Sequence, residues 1–428
     1  MPKKSALAAT GFFRLWTAES ISLTGAQVTT LALPLLAVLT MDAGAWETSL
    51  LTAAAGAANL VLGLSAGVWA DRYERTLMMH VANLGRLIVL VAVPLLAWAD
   101  ALDIWVLALA AFLVGAFTLL FDSAMVPYMP RLVGAKNIGP ANSWLEGSEA
   151  VGDVAGPGIA GTLVQWLSAP VALLVDAATY VVSSAALLGM PKAHPEKPEG
   201  AEKERHWDAV VSGLKLLRRD RYQWPLALAS THFNFFGAMF AALYLLYAIR
   251  EVGMSPFTLG AMTMLGGAAG LIAAAVNQRV ISRLGIGPTL VLSYALPGIT
   301  AIPVGFAHVL DKPVGLTLIG ISQFSWVFGI VVMHVCVNTI RQTLVPDHLM
   351  GRITASVRFM SWGVNPLGAL VGGAMASTAL GLANTLVVAS VGLITSMLWP
   401  LLSQVRKLRT LDQQDPETSA EEPVTTES

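Results

Sequence analysis

A chain of 428 residues that is 12% charged has few groups able to do chemistry. Five carboxylates stand inside long apolar stretches: Glu19, Asp122, Glu149, Asp153 and Asp176. An ionisable group at mid-membrane costs roughly 2.5–3.5 kcal/mol on insertion scales, so side chains retained there are functional candidates. Glu146, Glu149 and Asp153 are three and four residues apart and share one helix face. Carboxyls crowded in low dielectric compete for charge, so one of them can carry a proton and release it when its surroundings change. Enzyme chemistry has no such foothold. The chain holds no G-x-x-x-x-G-K-[ST] phosphate loop, no H-E-x-x-H and no G-x-S-x-G. Cys336 is the only cysteine, which excludes an internal disulfide or a cysteine-built metal site. Neither a cofactor nor a metal is expected, and a net charge of -1 gives no hint of nucleic acid.

The elements that carry these groups follow from composition. Soluble domains hold about 25% charged residues; half of that, with 55% hydrophobic residues and a mean hydropathy of +0.65, describes a chain built for the bilayer. A membrane helix needs roughly 20 apolar residues. Twelve segments qualify: 12–39, 46–69, 76–98, 103–124, 140–167, 169–190, 223–249, 256–283, 287–309, 313–337, 351–377 and 380–403. With the N-terminus in the cytoplasm, 23 of the 26 Lys and Arg fall inside, only Arg250 and Lys312 fall outside, and Arg86 is left within the membrane. The positive-inside rule therefore places both termini of a multi-pass protein in the cytoplasm; a bacterial inner membrane is the expected location. The expected fold is all-α and polytopic, with twelve transmembrane helices in two pseudo-symmetric six-helix halves. Residues 1–190 form the first half, 191–222 a cytoplasmic linker, 223–405 the second half, and 406–428 a disordered cytoplasmic tail. Within the linker, Trp207 to Leu217 has helical apolar spacing suited to the membrane surface.

Three motifs carry a family resemblance. The turn between the second and third segments reads Gly67-Val-Trp-Ala-Asp71-Arg72-Tyr-Glu-Arg75, which resembles the loop signature of the major facilitator superfamily, with Glu74 where the family usually has glycine. The resemblance implies a gating latch made by Asp71 and its arginines. On the fifth segment, Gly152-x-x-x-Gly156-Pro157-Gly158-x-x-Gly161 packs helices closely and also resembles the glycine-proline motif of the drug:proton antiporters. More widely, Arg14-Leu-Trp16, Asn338-x-x-Arg341-Gln342 and Gly351-Arg352-Ile-x-Ala355-Ser356 look like the branch that holds macrolide-type efflux pumps and the enterobactin exporter.

In that architecture helices 1, 4, 7 and 10 line a central cavity. The resemblance thus implies Glu19, Glu149 and Asp153 as proton-coupling groups, and makes Asp176 a structural hydrogen-bonding group. Asp122 is expected to pair with Arg131 or Arg86. Trp16, His232, Asn234, Phe236, Trp326, His334 and Asn338 become substrate-cavity candidates; a lone membrane histidine is more often a satisfied interhelical donor. The implied function is secondary active efflux of an amphipathic small molecule, an antibiotic or other secondary metabolite, by proton antiport with alternating access in a monomer. The partners are that molecule, protons and the lipid bilayer. A siderophore exporter of the same fold, a nutrient importer, and a non-transporting sensor or scaffold are the competing readings. The helix-5 motif speaks against import, and the short linker and tail leave no room for an output domain.

Overall fold

The computed structural model describes residues 11–70, 72–192 and 206–409, which are helical almost throughout and contain no strand. The first half holds α1 (Phe12–Thr40), α2 (Ala45–Ala70), α3 (Arg75–Trp98), α4 (Ile104–Val133), α5 (Ile138–Leu167) and α6 (Ala169–Leu187). A shorter helix, α7 (His206–Arg219), leads into the second half: α8 (Gln223–Arg250), α9 (Pro256–Leu284), α10 (Ile286–Ala301), α11 (Lys312–Leu344), α12 (Asp347–Gly363), α13 (Asn365–Ala376), α14 (Gly381–Thr395) and α15 (Leu398–Leu402). Among the described residues twelve spans result, since α12 with α13 and α14 with α15 each form one. Among the described residues nine spans are long and apolar enough to cross a membrane by themselves. The others are α2, α5, which Glu146, Glu149 and Asp153 make more polar, and the split α12–α13.

Three departures from the expected segments have local causes. The fourth segment is expected to end at 124, where the apolar run meets Asp122, but α4 continues to Val133 with Pro127 and Pro130 inside it. The eleventh is expected as one helix. It breaks at Val364 because Pro366 has no N–H to give the Trp362 carbonyl, which takes the Val364 N–H instead. Pro366 then sits at the start of α13, where its missing N–H costs nothing. The ninth ends in eight residues of tighter 3-10 helix, Ile302–Val309, entered at Pro303.

The last turns of α7 rest on protein through Gly213 and Leu217. Leu217 is fully buried in a cluster with Ala227, Val345, Ile353 and Val357. Gly213 lies so close to the Arg352 carbonyl and Ser356 that a Cβ would collide with both. The basic Lys215, Arg218 and Arg219 stay exposed.

The two halves repeat each other pair by pair. In the first, α1 packs on α5 and α6, α2 on α4, and α3 on α4 and α6. In the second, α8 packs on α13 and α14, α9 on α11, and α10 on α11 and α14. Adding six to each span number of the first set gives the second, as expected of parallel repeats. Two seams join the halves, α5 against α9 and α2 against α13, and these are equivalent under the same rule. Both seams are tight toward the end that carries the α1–α2 and α8–α9 turns. Gly161 and Gly260 meet backbone to backbone, and Gly373 abuts Ser49. Arg250 adds an ion pair to Asp42 across the halves. Beside it Glu251, just past the end of α8, is pushed above the usual carboxylate range by burial, an effect partly offset by His308. At the opposite end the halves part. Glu146 and Glu149 on α5 and His334 and Asn338 on α11 are exposed there.

Candidate functional site

A cavity of about 910 Å3 lies between α1, α2 and α4 of the first half and α12 of the second. Its walls are mainly apolar, with Leu33, Leu51, Val114 and Leu119 among them, and Tyr180, Phe359 and Trp362 supply aromatic faces. The polar lining is sparse: Thr29, Thr30, Thr52, Asn59, Thr118 and Ser123, with Asp122 and Arg358 as the only charged groups among the described residues. The elements explain the placement. The extension of α4 past Asp122 forms one wall, and the break at Val364 ends α12 just after it has delivered Arg358, Phe359 and Trp362. Arg358 spreads over the Trp362 ring at 5.2 Å and lies within electrostatic reach of Asp122 in the other half.

Behind Tyr180 sits Arg86 of α3, 4% exposed. Its guanidinium is held by ring faces, 4.3 Å from the Tyr180 centroid and 4.9 Å from that of Phe121. Nη2 donates to Asn83 Oδ1 at 2.6 Å, and Asn83 Nδ2 donates to Ser183 Oγ at 2.9 Å, which ties α3 to α6. Three carboxyls of three other helices, Glu19, Asp122 and Asp176, lie within its electrostatic reach. Asp176 is fully buried and accepts hydrogen bonds from the hydroxyls of Thr29 and Thr179. Glu19 is 8% exposed, and its Oε2 has no hydrogen-bond partner.

The other candidate residues fall in three places. Glu149 and Asp153 face the cleft between the halves; Asp153 accepts a 2.9 Å hydrogen bond from Gln27 Nε2. Trp16 clamps α1 to α5, donating to Ser148 Oγ at 2.7 Å and packing edge-on against Trp144. Gly156 admits the Gln27 side chain, Pro157 and Gly161 form the α9 seam, and Gly152 meets nothing within 4 Å. In the second half His232 is turned toward α14 and α15. Its Nε2 lies 2.9 Å from the Gly392 carbonyl oxygen and 3.1 Å from Thr395 Oγ1, and Trp399 Nε1 donates to Nδ1. Phe236 packs on His232, and Trp326 stacks on Phe240 at 5.2 Å. Asn234 is half-buried, and His334 and Asn338 are exposed on α11. None of these second-half residues lines the cavity. His232→Ala is expected to lower stability by about 1 kcal/mol, because it removes the side-chain hydrogen bonds that tie α8 to α14 and α15; thermal unfolding in detergent checks this.

In the gating motif, Asp71 lies outside the described residues. Gly67 is in the last turns of α2 and Arg72 is exposed in the turn. Arg75 opens α3, is 6% exposed, and donates from Nη1 to the Pro127 carbonyl at 3.0 Å, which fastens the motif to α4. Sequence reasoning did not select Arg86, Arg358, Asn59, Phe359, Trp362 or Tyr180. Only Arg86 had announced itself, as the cation that the charge census could not place on either side.

The profile of the Major Facilitator Superfamily matches residues 15–369. A multidrug efflux pump, Tap, of Mycolicibacterium fortuitum is 26% identical over 374 residues, 83% of this chain and 86% of that protein. An uncharacterized MFS-type transporter, YfiS, of Bacillus subtilis is 24% identical over 383 residues, 86% of this chain and 87% of that one. Among solved structures, a bacterial homologue of the iron transporter ferroportin in its inward-facing state superposes with a TM-score of 0.72 at 15% identity, covering 92% of this chain and 98% of that chain. The nucleoside transporter NupG gives 0.71 at 12% identity, with 92% and 98% covered.

Proposed function

The chain belongs to the Major Facilitator Superfamily, and on that premise we propose that it is a secondary active exporter of an amphipathic small molecule, driven by proton antiport. The observation that carries this reading is the cavity. Its roughly 910 Å3 lies at the upper end of the range of small-molecule sites, which are mostly apolar with a few placed polar groups. A hydrophilic nutrient would leave such walls unmatched. A large apolar body with a few polar groups matches them, with aromatic contacts from Tyr180, Phe359 and Trp362 and charge from Asp122 and Arg358. The likeness to Tap supports export of drug-like molecules.

In this reading residues 1–190 and 223–405 rock as two bodies joined by 191–222. The open end is cytoplasmic, the tail 406–428 is on the same side, and the seam glycines close the outer end. Glu19, Glu149 and Asp153 are the proton-coupling groups. Expression in a host stripped of its own pumps tests the function: resistance to several amphipathic antibiotics should rise several-fold, and collapse of the proton gradient should abolish the gain. Higher uptake of a nutrient with no change in resistance would overturn it. Trp362→Ala, which removes an aromatic wall and the rest of Arg358, should lower resistance to aromatic compounds several-fold more than to aliphatic ones, read as a change in the order of inhibitory concentrations.

A further inference from the structure

We propose that Arg86 is the internal counter-charge of the coupling site, shared among Glu19, Asp122 and Asp176, and that Glu19 is the carboxyl that carries the coupling proton. The inference rests on the proton-exchange reading above and selects one carboxyl among its candidates. Five helices of the first half converge on the cluster. Glu19 of α1 is faced by Arg86 from α3, Asp122 from α4, Glu149 from α5 and Tyr180 from α6. Asp122 is faced in addition by Arg358 of α12. One guanidinium can neutralise one carboxylate, so the two buried carboxyls, Glu19 and Asp176, cannot both stand ionised beside Arg86.

Their surroundings divide the work. Asp176 already has two hydroxyl donors, which suits a permanently structural acid. Asp122 is exposed on the wet cavity wall and can exchange protons with water. Glu19 is buried and has no donor at Oε2 and is therefore the member that carries hydrogen. Arg86 is bound to none of the three at ion-pair distance. Asn83 and two ring faces hold it, and its Nε is buried without a partner. A guanidinium held in this way can lean toward whichever acid is ionised. The proton passes from cavity water to the Asp122 carboxylate and on to Glu19, which leaves Asp122 ionised and Arg86 drawn to it. Release runs the same path in reverse once the cavity faces the other side.

The test needs no substrate. Infrared spectra of the purified full-length protein in lipid nanodiscs should show a protonated-carboxyl stretch that titrates with pH and shifts in heavy water. Glu19→Gln should remove it. Arg86→Gln, which deletes the cation, should move its titration by roughly one pH unit or more to the alkaline side, and Asp122→Asn, which deletes a neighbouring negative charge, should move it to the acid side. A purely structural role for Arg86 would leave the midpoint in place. Should Arg86→Gln fail to accumulate, Asp122→Asn and the charge-preserving Arg86→Lys, with a smaller shift than the deletion, still decide. The proposal is overturned if the band survives in Glu19→Gln, if Glu149→Gln removes it instead, or if Asp122→Asn leaves its titration unmoved. These outcomes are separate from those for the function. A protein that shows the band and loses it in Glu19→Gln, yet changes no drug resistance, keeps the coupling site and loses the efflux reading.

Discussion

Gly161→Leu will produce a protein that reaches the membrane and transports nothing. The α5–α9 seam brings Gly161 and Gly260 so close that a Cβ at either would lie 3.1 Å from the Cα of the other and against the carbonyl of Pro256 or Pro157. A leucine has no space there, and overpacking of a tight contact costs typically about 1–3 kcal/mol. That cost falls only on the conformation in which the seam is closed. Since about 1.4 kcal/mol is a tenfold change in an equilibrium, the substitution tips the halves toward the state with the seam open, and a transporter that cannot return does not cycle. The effect can be read directly. Cys336 is the only cysteine and is buried, so a reporter placed by Met264→Cys, a residue that packs on Gly158 inside the seam, should label with an impermeant maleimide at least five times faster in Gly161→Leu. Gly147→Ala, at a glycine with nothing within 4 Å, should label and transport as before. Transport by Gly161→Leu at the wild-type rate and equal abundance would show that the seam is not the outer closure.

The span count was legible because charge is expensive in a bilayer, and so every polar turn stands out against apolar runs. The break in span 11 was also written in the chain, as Asn365-Pro366, and was passed over because proline is tolerated in many membrane helices; α1 keeps Pro34 without breaking. The cavity was harder. Its second-half wall comes from α12, and which helices border a cleft depends on how the halves are tilted, a property of the conformation rather than of any segment's composition. His232 shows another limit. It lies on a span expected to face the cavity, yet its partner is a backbone carbonyl 160 residues away, and a carbonyl leaves no signature in sequence. Arg86 was visible as an oddity, but its holders are two aromatic rings and an asparagine, residue types too common in membrane helices to single out. Asp122 was read as a local ion-pair partner of Arg131 or Arg86, and its position across the cavity from Arg358 of the other half appears only in three dimensions.

That position leads to the second large effect. Asp122→Asn and Arg358→Gln should each reduce drug efflux at least tenfold, and the double variant should be no worse than Asp122→Asn alone, whose broken proton relay Arg358→Gln cannot restore. In the open state the two charges line opposite walls of one cavity, so bringing the halves together at that end brings the charges together. Opposite charges closing to about 4 Å in a partly hydrated site gain on the order of 4 kcal/mol before desolvation. A net share of about 1.4 kcal/mol accounts for a tenfold shift between open and closed forms. Removal of either charge forfeits the whole attraction and leaves the other charge to be buried alone on closing, which adds its own penalty. Removal of both forfeits the attraction and avoids that penalty. This is why the double variant should lose nothing beyond Asp122→Asn, as residues acting as one unit do. Efflux rates at matched abundance, taken around the full double-mutant cycle, give the coupling. Losses that simply multiply would mean that Asp122 and Arg358 act separately, Asp122 through Arg86 within its own half and Arg358 through the Trp362 face on which it rests.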